Sequence, residues 1–280
     1  MPALKLDLFR GLEGLPSPPF QLLKVLDEVG EASTRDFNVC RVIQNDPSMA
    51  CRILKTANTR LYGYPSKILS LQQAAGLLGP GPIKSIVLTT PMLERFTGNA
   101  APQTEMNGIG PWRHMAVTAM IAGCLGKLLP HMEPDVCYTA GLIHDIGKIA
   151  LAAHHPGLLA EIVRRVKQTG VPFRQAEREI IGVSHADIAA ELAAAWAFPE
   201  LLTDALKTFS HWPAARSGNN LAGALYLADY LANDWGFDDG VEHNAAPLPR
   251  EILPRLGVSA GDLEQWMPEL RETAQYAAED

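Results

Sequence analysis

The chain has 280 residues, of which 47% are hydrophobic and 20% are charged, a balance typical of a globular protein with a substantial core. The formal net charge of −7 argues against general nucleic-acid binding, because phosphate backbones attract basic surfaces. No apolar run reaches the roughly 18 residues that span a bilayer, and the N-terminus lacks the apolar segment of a signal peptide. We therefore expect a cytoplasmic protein without a membrane anchor.

Helix signals recur along the first half of the chain, and strand-like alternation is nearly absent, which predicts an all-α fold. Residue pairs typical of helix starts are Ser33–Asp36, Asp46–Pro47 and Ser70–Gln73. Gly79 marks a helix end, and a further helix is expected over 82–96. Between Arg41 and Lys84 the only acid is Asp46, which predicts either a solvated basic face or a surface for an anionic partner.

A polar stretch at 97–110, rich in Gly, Asn and Pro, is predicted to separate two helical units. The first is an N-terminal subdomain over 1–100, and the second is a helical bundle over 111–280. Helices of the second unit are expected at 112–129, 134–154, 156–169, 172–182, 184–198, 199–210, 219–235 and 259–277. The segment 236–249, acidic and then Pro-rich, is predicted to be a loop.

The cysteines indicate a reducing compartment. Cys40, Cys51, Cys124 and Cys137 have neither C-x-x-C nor zinc-site spacing. Each lies in an apolar segment, where a thiol behaves as a small buried hydrophobic group.

The sharpest feature is an adjacent pair, His144 and Asp145, inside the apolar segment 140–150. A buried carboxylate needs a charged or metal partner, because burial of a bare charge is costly. His114 and Asp229 are polar residues on two other apolar helices. Two imidazoles and two carboxylates from separate helices make a plausible ligand set for a divalent metal, here iron, manganese, zinc or magnesium.

The order H…HD…D, with the central element Gly141-Leu-Ile-His-Asp-Ile-Gly-Lys148, resembles the HD superfamily of metal-dependent phosphohydrolases. The resemblance covers about 112–232. It implies that His114, His144, Asp145 and Asp229 are the metal ligands of a site that is either occupied or vestigial.

The first half narrows the resemblance to HDOD domains, the helical output modules of bacterial signal transduction. The segments that carry it are Leu15-Pro-Ser-Pro-Pro19, Asn45-Asp-Pro47, Lys55-Thr-Ala-Asn58, Tyr62-Gly-Tyr-Pro65 and Ser184-His-Ala-Asp-Ile-Ala189. One HDOD unit is thus expected over about 13–235, followed by a C-terminal helical extension. Gly63-Tyr64-Pro65 spells the motif of HD-GYP phosphodiesterases, but it precedes the His-Asp pair instead of following it.

Three more residues are candidates for a second metal or for substrate contact: His185, His211 and Lys148. His185 opens a helix, which favours a partly exposed residue beside a cap. Trp212 follows His211 where a second histidine is often seen, so a complete two-metal centre is not expected. Lys148 lies one turn beyond His144, where it could neutralise a phosphate or pair with a nearby acid.

The favoured function is a regulatory output protein that works through contacts with a signalling protein partner and carries a vestigial metal site. The alternative is a metal-dependent phosphohydrolase acting on a nucleotide or phosphoester. A third hypothesis, a DNA-binding regulator, rests on consecutive short helices at 33–46 and 47–59. The acidic balance of the chain weighs against it.

Overall fold

A computed structural model describes residues 46–59, 66–79, 82–83, 86, 110–214, 219–241 and 247–279. Within these ranges the chain forms helices and no strand, which confirms the all-α prediction. The helices are α1 (Pro47–Ala57), α2 (Leu71–Leu78), α3 (Gly110–Leu128), α4 (Pro134–Ile143), α5 (Ile146–His154), α6 (Pro156–Thr169), α7 (Phe173–Ile180), α8 (His185–Ala195), α9 (Glu200–Thr208), a 3-10 helix (Phe209–Ala214), α10 (Asn220–Asp234), α11 (Ile252–Arg255) and α12 (Ala260–Glu279).

Two helices of the N-terminal half begin where their capping residues predict. The Asp46 carboxylate accepts the Met49 amide at 3.0 Å at the start of α1. The Ser70 hydroxyl accepts the Gln73 amide at 3.1 Å at the start of α2. The Ser33–Asp36 pair, the proposed subdomain boundary before residue 110 and most of the helix expected over 82–96 lie outside the described residues.

Helices α1 and α2 pack against α4, which joins the N-terminal helices to the bundle. The buried amide of Leu71 donates to the hydroxyl of Thr139 on α4 at 3.0 Å. That hydroxyl in turn donates to the Asp135 carbonyl at 2.7 Å, so the Leu71 amide and the Thr139 hydroxyl both have hydrogen-bond partners.

Helix α3 lies at the centre of the bundle, in contact with α4, α10 and α12. Gly141 permits the close approach of α4, because a Cβ at this position would lie 2.7 Å from the Cα of Ala119 and 2.9 Å from the Thr118 carbonyl oxygen. The C-terminal helix α12 covers α3 through the buried side chains of Leu270 and Ala274.

The prediction of one continuous helix over 134–154 is wrong, because the chain turns at His144 and Asp145 and continues as α5. Asp145 has φ −100° and ψ 16°, away from helical values, and its carbonyl accepts the Lys148 amide three residues on. By length and mean hydropathy of 1.2, the stretch Pro134–His154 could cross a membrane. However, 78% of its apolar window is buried inside the fold, so core packing accounts for its composition.

The remaining bundle helices follow the predicted starts closely. At α8 the Ser184 hydroxyl accepts the Asp187 amide, and the Asp187 carboxylate accepts the Ser184 amide, and these two bonds form a capping box. The 3-10 helix and the short helix α11 were not predicted.

Candidate metal centre

Four residues from three elements meet in the interior of the bundle. His114 lies in the first turns of α3, His144 and Asp145 form the turn between α4 and α5, and Asp229 lies on α10. His114 Nε2 is 3.1 Å from Asp229 Oδ1 and 3.8 Å from Asp145 Oδ2. His144 Nε2 is 3.4 Å from Asp145 Oδ2 and 3.7 Å from Asp229 Oδ1. The structure thus brings together the four residues that the sequence singled out.

Backbone carbonyls orient both imidazoles. His114 Nδ1 lies 2.7 Å from the Phe237 carbonyl oxygen, and His144 Nδ1 lies 2.7 Å from the Gly141 carbonyl oxygen. A carbonyl only accepts, so each Nδ1 carries the proton and each Nε2 is directed at the carboxylates. Histidine ligands of metals are commonly fixed by such a second hydrogen bond.

The residues present fit a divalent cation. His144 Nε2 is buried and makes no hydrogen bond within the described part of the chain, although two carboxylates face it. His114 Nε2, His144 Nε2 and an oxygen of Asp229 all lie within 4.8 Å of one another. A cation held between them would satisfy the His144 nitrogen, since imidazole and carboxylate ligands bind such ions at about 2.0–2.2 Å. When bound, a metal of this kind supplies Lewis acidity and an activated water.

Lys148 pairs with acids inside the protein, which is one of the two alternatives for its role, and contact with a phosphate stays a prediction. Its ammonium lies 2.8 Å from Asp145 Oδ2 and 2.8 Å from Asp239 Oδ2, and its side chain is only 2% exposed. Asp239 was not singled out in the sequence and lies in the segment after α10 that is predicted to be a loop.

His185 is buried, so the prediction of a partly exposed residue beside a cap is wrong. Its Nε2 lies 3.4 Å from Asp145 Oδ1, and its Nδ1 lies 2.8 Å from Glu177 Oε2. The other oxygen of Glu177 accepts the His185 backbone amide at 3.0 Å. Glu177, which sequence reasoning missed, therefore fixes His185 against the opposite side of Asp145 from His144.

His211 lies apart from this cluster. It belongs to the 3-10 helix and lines a surface cavity together with residues of α7. Within the described residues no contact joins it to the four converging side chains. As a candidate for a second metal it remains a hypothesis without support from proximity.

The electrostatics of the cluster favour charged partners. Burial opposes protonation of His114, but its hydrogen bond to Asp229 and the nearby carboxylates outweigh this effect and raise its pKa to about 9. Burial works against ionisation of Asp145 as well, yet His144, Lys148 and His185 hold its pKa well below the ordinary value. Burial likewise opposes ionisation of Asp239, but Lys148 lowers its pKa to about 2. Without a bound cation, the cluster thus consists of ionised acids and a protonated His114 at neutral pH.

Comparison with solved structures shows the fold. The MmoQ response regulator from Methylococcus capsulatus is 23% identical, with a TM-score of 0.68 over 90% of this chain and 97% of that chain. A protein from Shewanella amazonensis, provisionally described as a phosphohydrolase, is 22% identical, with a TM-score of 0.54 over 99% of this chain and 98% of that chain. At this level of identity the similarity establishes the helical fold alone.

Among curated proteins, an uncharacterised protein of Treponema pallidum is 21% identical over 266 residues, which are 94% of this chain and 49% of that protein. The chain thus spans about half the length of this relative. The family model of the HDOD domain matches residues 15–211, close to the unit expected from the sequence motifs. The chain therefore belongs to the HDOD domain family.

Proposed function

We propose that this chain is an output module of bacterial signal transduction, which acts in the cytoplasm mainly through contacts with a signalling protein partner. His114, His144, Asp145 and Asp229, which we name the His/Asp cluster, would then serve the folded structure, with or without a bound cation, and not catalysis. The similarity to a response regulator supports a signalling role. The observation that carries the proposal is the buried ion pair between Lys148 and Asp145.

Two-metal hydrolases hold their ions about 3.5–4 Å apart, so that both attacking and leaving oxygens are stabilised. Here the Asp145 carboxylate is in contact with the Lys148 ammonium at 2.8 Å on one oxygen and with His185 at 3.4 Å on the other. A second divalent ion at Asp145 would have to displace a buried ammonium that also binds Asp239. This arrangement favours one cation at most.

The alternative function is a metal-dependent phosphohydrolase that acts on a nucleotide or phosphoester. It is supported by His144 Nε2, which lacks a hydrogen bond in the part of the chain that is described, and by its neighbours His114 and Asp229. The Asp229 side chain is 27% exposed, so one side of the cluster faces solvent. Water and a substrate could approach a metal from this side.

The two functions are separated by assaying the purified protein and its Asp145→Ala variant together. Metal content is measured by elemental analysis, and hydrolysis of bis(p-nitrophenyl) phosphate is measured with added manganese. We expect the wild type to show little or no turnover and the variant to have a lower melting temperature. Robust wild-type turnover that disappears in the variant would make the enzyme the better proposal.

The signalling role needs its own measurement. Cross-linking in the native bacterium, followed by mass spectrometry, should recover a signalling protein with the wild-type chain. An Asp229→Asn variant that remains folded should recover the same protein, because the contacts do not depend on catalysis. If the wild type recovered the partner and the Asp229→Asn variant did not, partner binding would depend on the His/Asp cluster.

A further inference from the structure

A cavity of about 460 Å³ lies on the outer side of α7 and the 3-10 helix, and we name it the outer cavity. It is lined by Pro172, Arg174, Gln175, Arg178, Glu179 and His211. None of these residues belongs to the His/Asp cluster. Pockets for small ligands commonly have volumes of roughly 300–1,000 Å³. We propose that the outer cavity binds a phosphate monoester of a small molecule, recognised by Arg174, Arg178 and His211.

The sequence of α7 divides its surface between the core and the outer cavity. Phe173, Ala176 and Glu177 are buried and face the bundle. Arg174 and Arg178 are four residues apart, so their side chains are neighbours on a different face of the helix. Paired guanidinium groups suit phosphate, because each presents several N–H donors in a plane that matches two phosphate oxygens.

The acid in the cavity lining is compensated by a residue outside it. Glu179 is held by Arg165, with Oε2 at 3.0 Å from Nε and 2.8 Å from Nη2. Gln175 donates to the other oxygen of Glu179 at 2.9 Å. The negative charge of Glu179 is therefore already paired from α6, and the lining presents a net positive charge to a ligand.

Arg174 is anchored at the junction of the two elements. One nitrogen of its guanidinium donates to the carbonyl of Ser210, the residue before His211. A guanidinium has five N–H donors, so this bond leaves others that can reach a ligand. The anchor also holds the Arg174 side chain in place before a ligand binds, which reduces the entropy lost on binding.

His211 also favours an anionic ligand over a cation in the outer cavity. Partial burial and the positive charges of Arg174 and Arg178 lower its pKa. Lys207 of α9 acts in the same direction, and Asp187 of α8 opposes it. The arginines that disfavour a proton on His211 would also repel a divalent cation, which argues against the second metal considered for this residue. A bound phosphate would reverse the repulsion, so that binding raises the pKa of His211.

The two elements that form the outer cavity, α7 and the 3-10 helix, also contact the histidines at the His/Asp cluster. Glu177, on the inner face of α7, holds His185 at 2.8 Å. Phe209, in the 3-10 helix, lies edge-on to the His144 ring with centroids 5.5 Å apart. Glu177 and Phe209 therefore lie between a ligand in the outer cavity and the histidines at the His/Asp cluster. The inference does not rest on the signalling role proposed above, because ligand binding is measured directly.

The test is isothermal titration calorimetry with adenosine monophosphate, inorganic phosphate and uncharged adenosine, together with proton NMR of the histidine rings. We expect the nucleotide to bind more tightly than phosphate, and adenosine not to bind. The His211 ring resonance, assigned with a His211→Gln variant, should shift and its pKa should rise. Arg178→Gln should weaken nucleotide binding by about tenfold or more, the effect of losing a charged hydrogen bond.

Arg164→Gln is the matched control, because it removes the same charge from an exposed position of α6 that does not line the cavity. It should bind the nucleotide as the wild type does. Three results would overturn the proposal: no binding of the nucleotide, equal binding by wild type and Arg178→Gln, or binding that leaves the His211 resonance unchanged. Thermal melts of each variant test whether these surface changes leave the fold intact.

Discussion

Lys148 Nζ lies 2.8 Å from Asp145 Oδ2, so a buried ammonium shares the carboxylate that faces His144. The same ammonium lies 2.8 Å from Asp239 Oδ2. Lysine is rarely buried unless its charge is paired, and here two acids pair it. The consequence is that the carboxylate expected to serve a metal already has an internal counter-ion.

Replacing Lys148 by Met should leave Asp145 and Asp239 buried without their ammonium. We expect the free energy of unfolding to fall by about 3–5 kcal/mol, the usual cost of removing one partner of a buried pair. Added manganese should recover part of this loss, since a cation can supply the missing charge. Urea denaturation with a chelator and then with manganese measures both effects.

The matched control is Lys127→Met, which removes a lysine from an exposed position of α3. Its stability should stay within about 0.5 kcal/mol of the wild type, because surface changes of this kind cost little. If Lys148→Met were as stable as the wild type, the two carboxylates would not depend on the ammonium.

A second prediction concerns His144, whose Nε2 is buried and makes no hydrogen bond in the described ranges. A divalent cation that binds there should raise the melting temperature of the wild type, because ligands of the folded state stabilise it. At a hundredfold excess over the dissociation constant the gain is about 2.7 kcal/mol. His144→Ala should abolish this gain, whereas His154→Ala, a change at the C-terminal end of α5, should retain it. Equal stabilisation of both variants would place the cation elsewhere.

A third prediction concerns the stability of a Gly147→Ala variant. A Cβ on Gly147 would lie 2.0 Å from the His185 carbonyl oxygen and 2.8 Å from its carbonyl carbon, so α5 and α8 are in backbone contact there. Gly147→Ala must push the helices apart and should cost about 1–3 kcal/mol, the usual range for overpacking. Gly157→Ala is the control, since its Cβ would meet nothing within 4 Å. A melting temperature for Gly147→Ala equal to that of the control would contradict the close approach.

Features that depend on neighbouring residues in the chain could be predicted from the sequence. The caps at Asp46 and Ser184 are formed by side chains three residues from their partners, so a local pattern reveals them. The turn at His144 and Asp145 was missed because the apolar residues continue through it on both sides. Periodicity detects which side chains are buried, and it does not detect a local change in backbone direction.

The site residues divide in the same way. Glu177 could have been predicted from the sequence. It shares the helical spacing of Phe173, Ala176 and Ile180, which form the inner face of α7. An acid at that position needs a partner inside the protein. Asp239 could not have been predicted in this way, because it lies in a segment without periodicity and reaches Lys148 across 91 positions of the chain.

The last prediction concerns the pH dependence of stability in the metal-free protein. The pKa of His114 is raised from its ordinary 6.5 to about 9, and that of His185 is raised as well. A group with a raised pKa in the folded state stabilises it fully below the unfolded pKa, and this contribution is lost as the pH rises through the folded value. The acids Asp145, Asp229 and Asp239 have lowered pKa values, so their contributions are lost only on the acidic side. Stability should therefore decline between pH 6.5 and 9, with at most about 3 kcal/mol from His114.

Urea denaturation at pH 6 and pH 9 in the presence of a chelator measures this loss. His114→Gln should flatten the profile, and His154→Gln should retain it, since the pKa of His154 is lowered. A wild type that is equally stable at both pH values would show that His114 is not held in its charged form by Asp229.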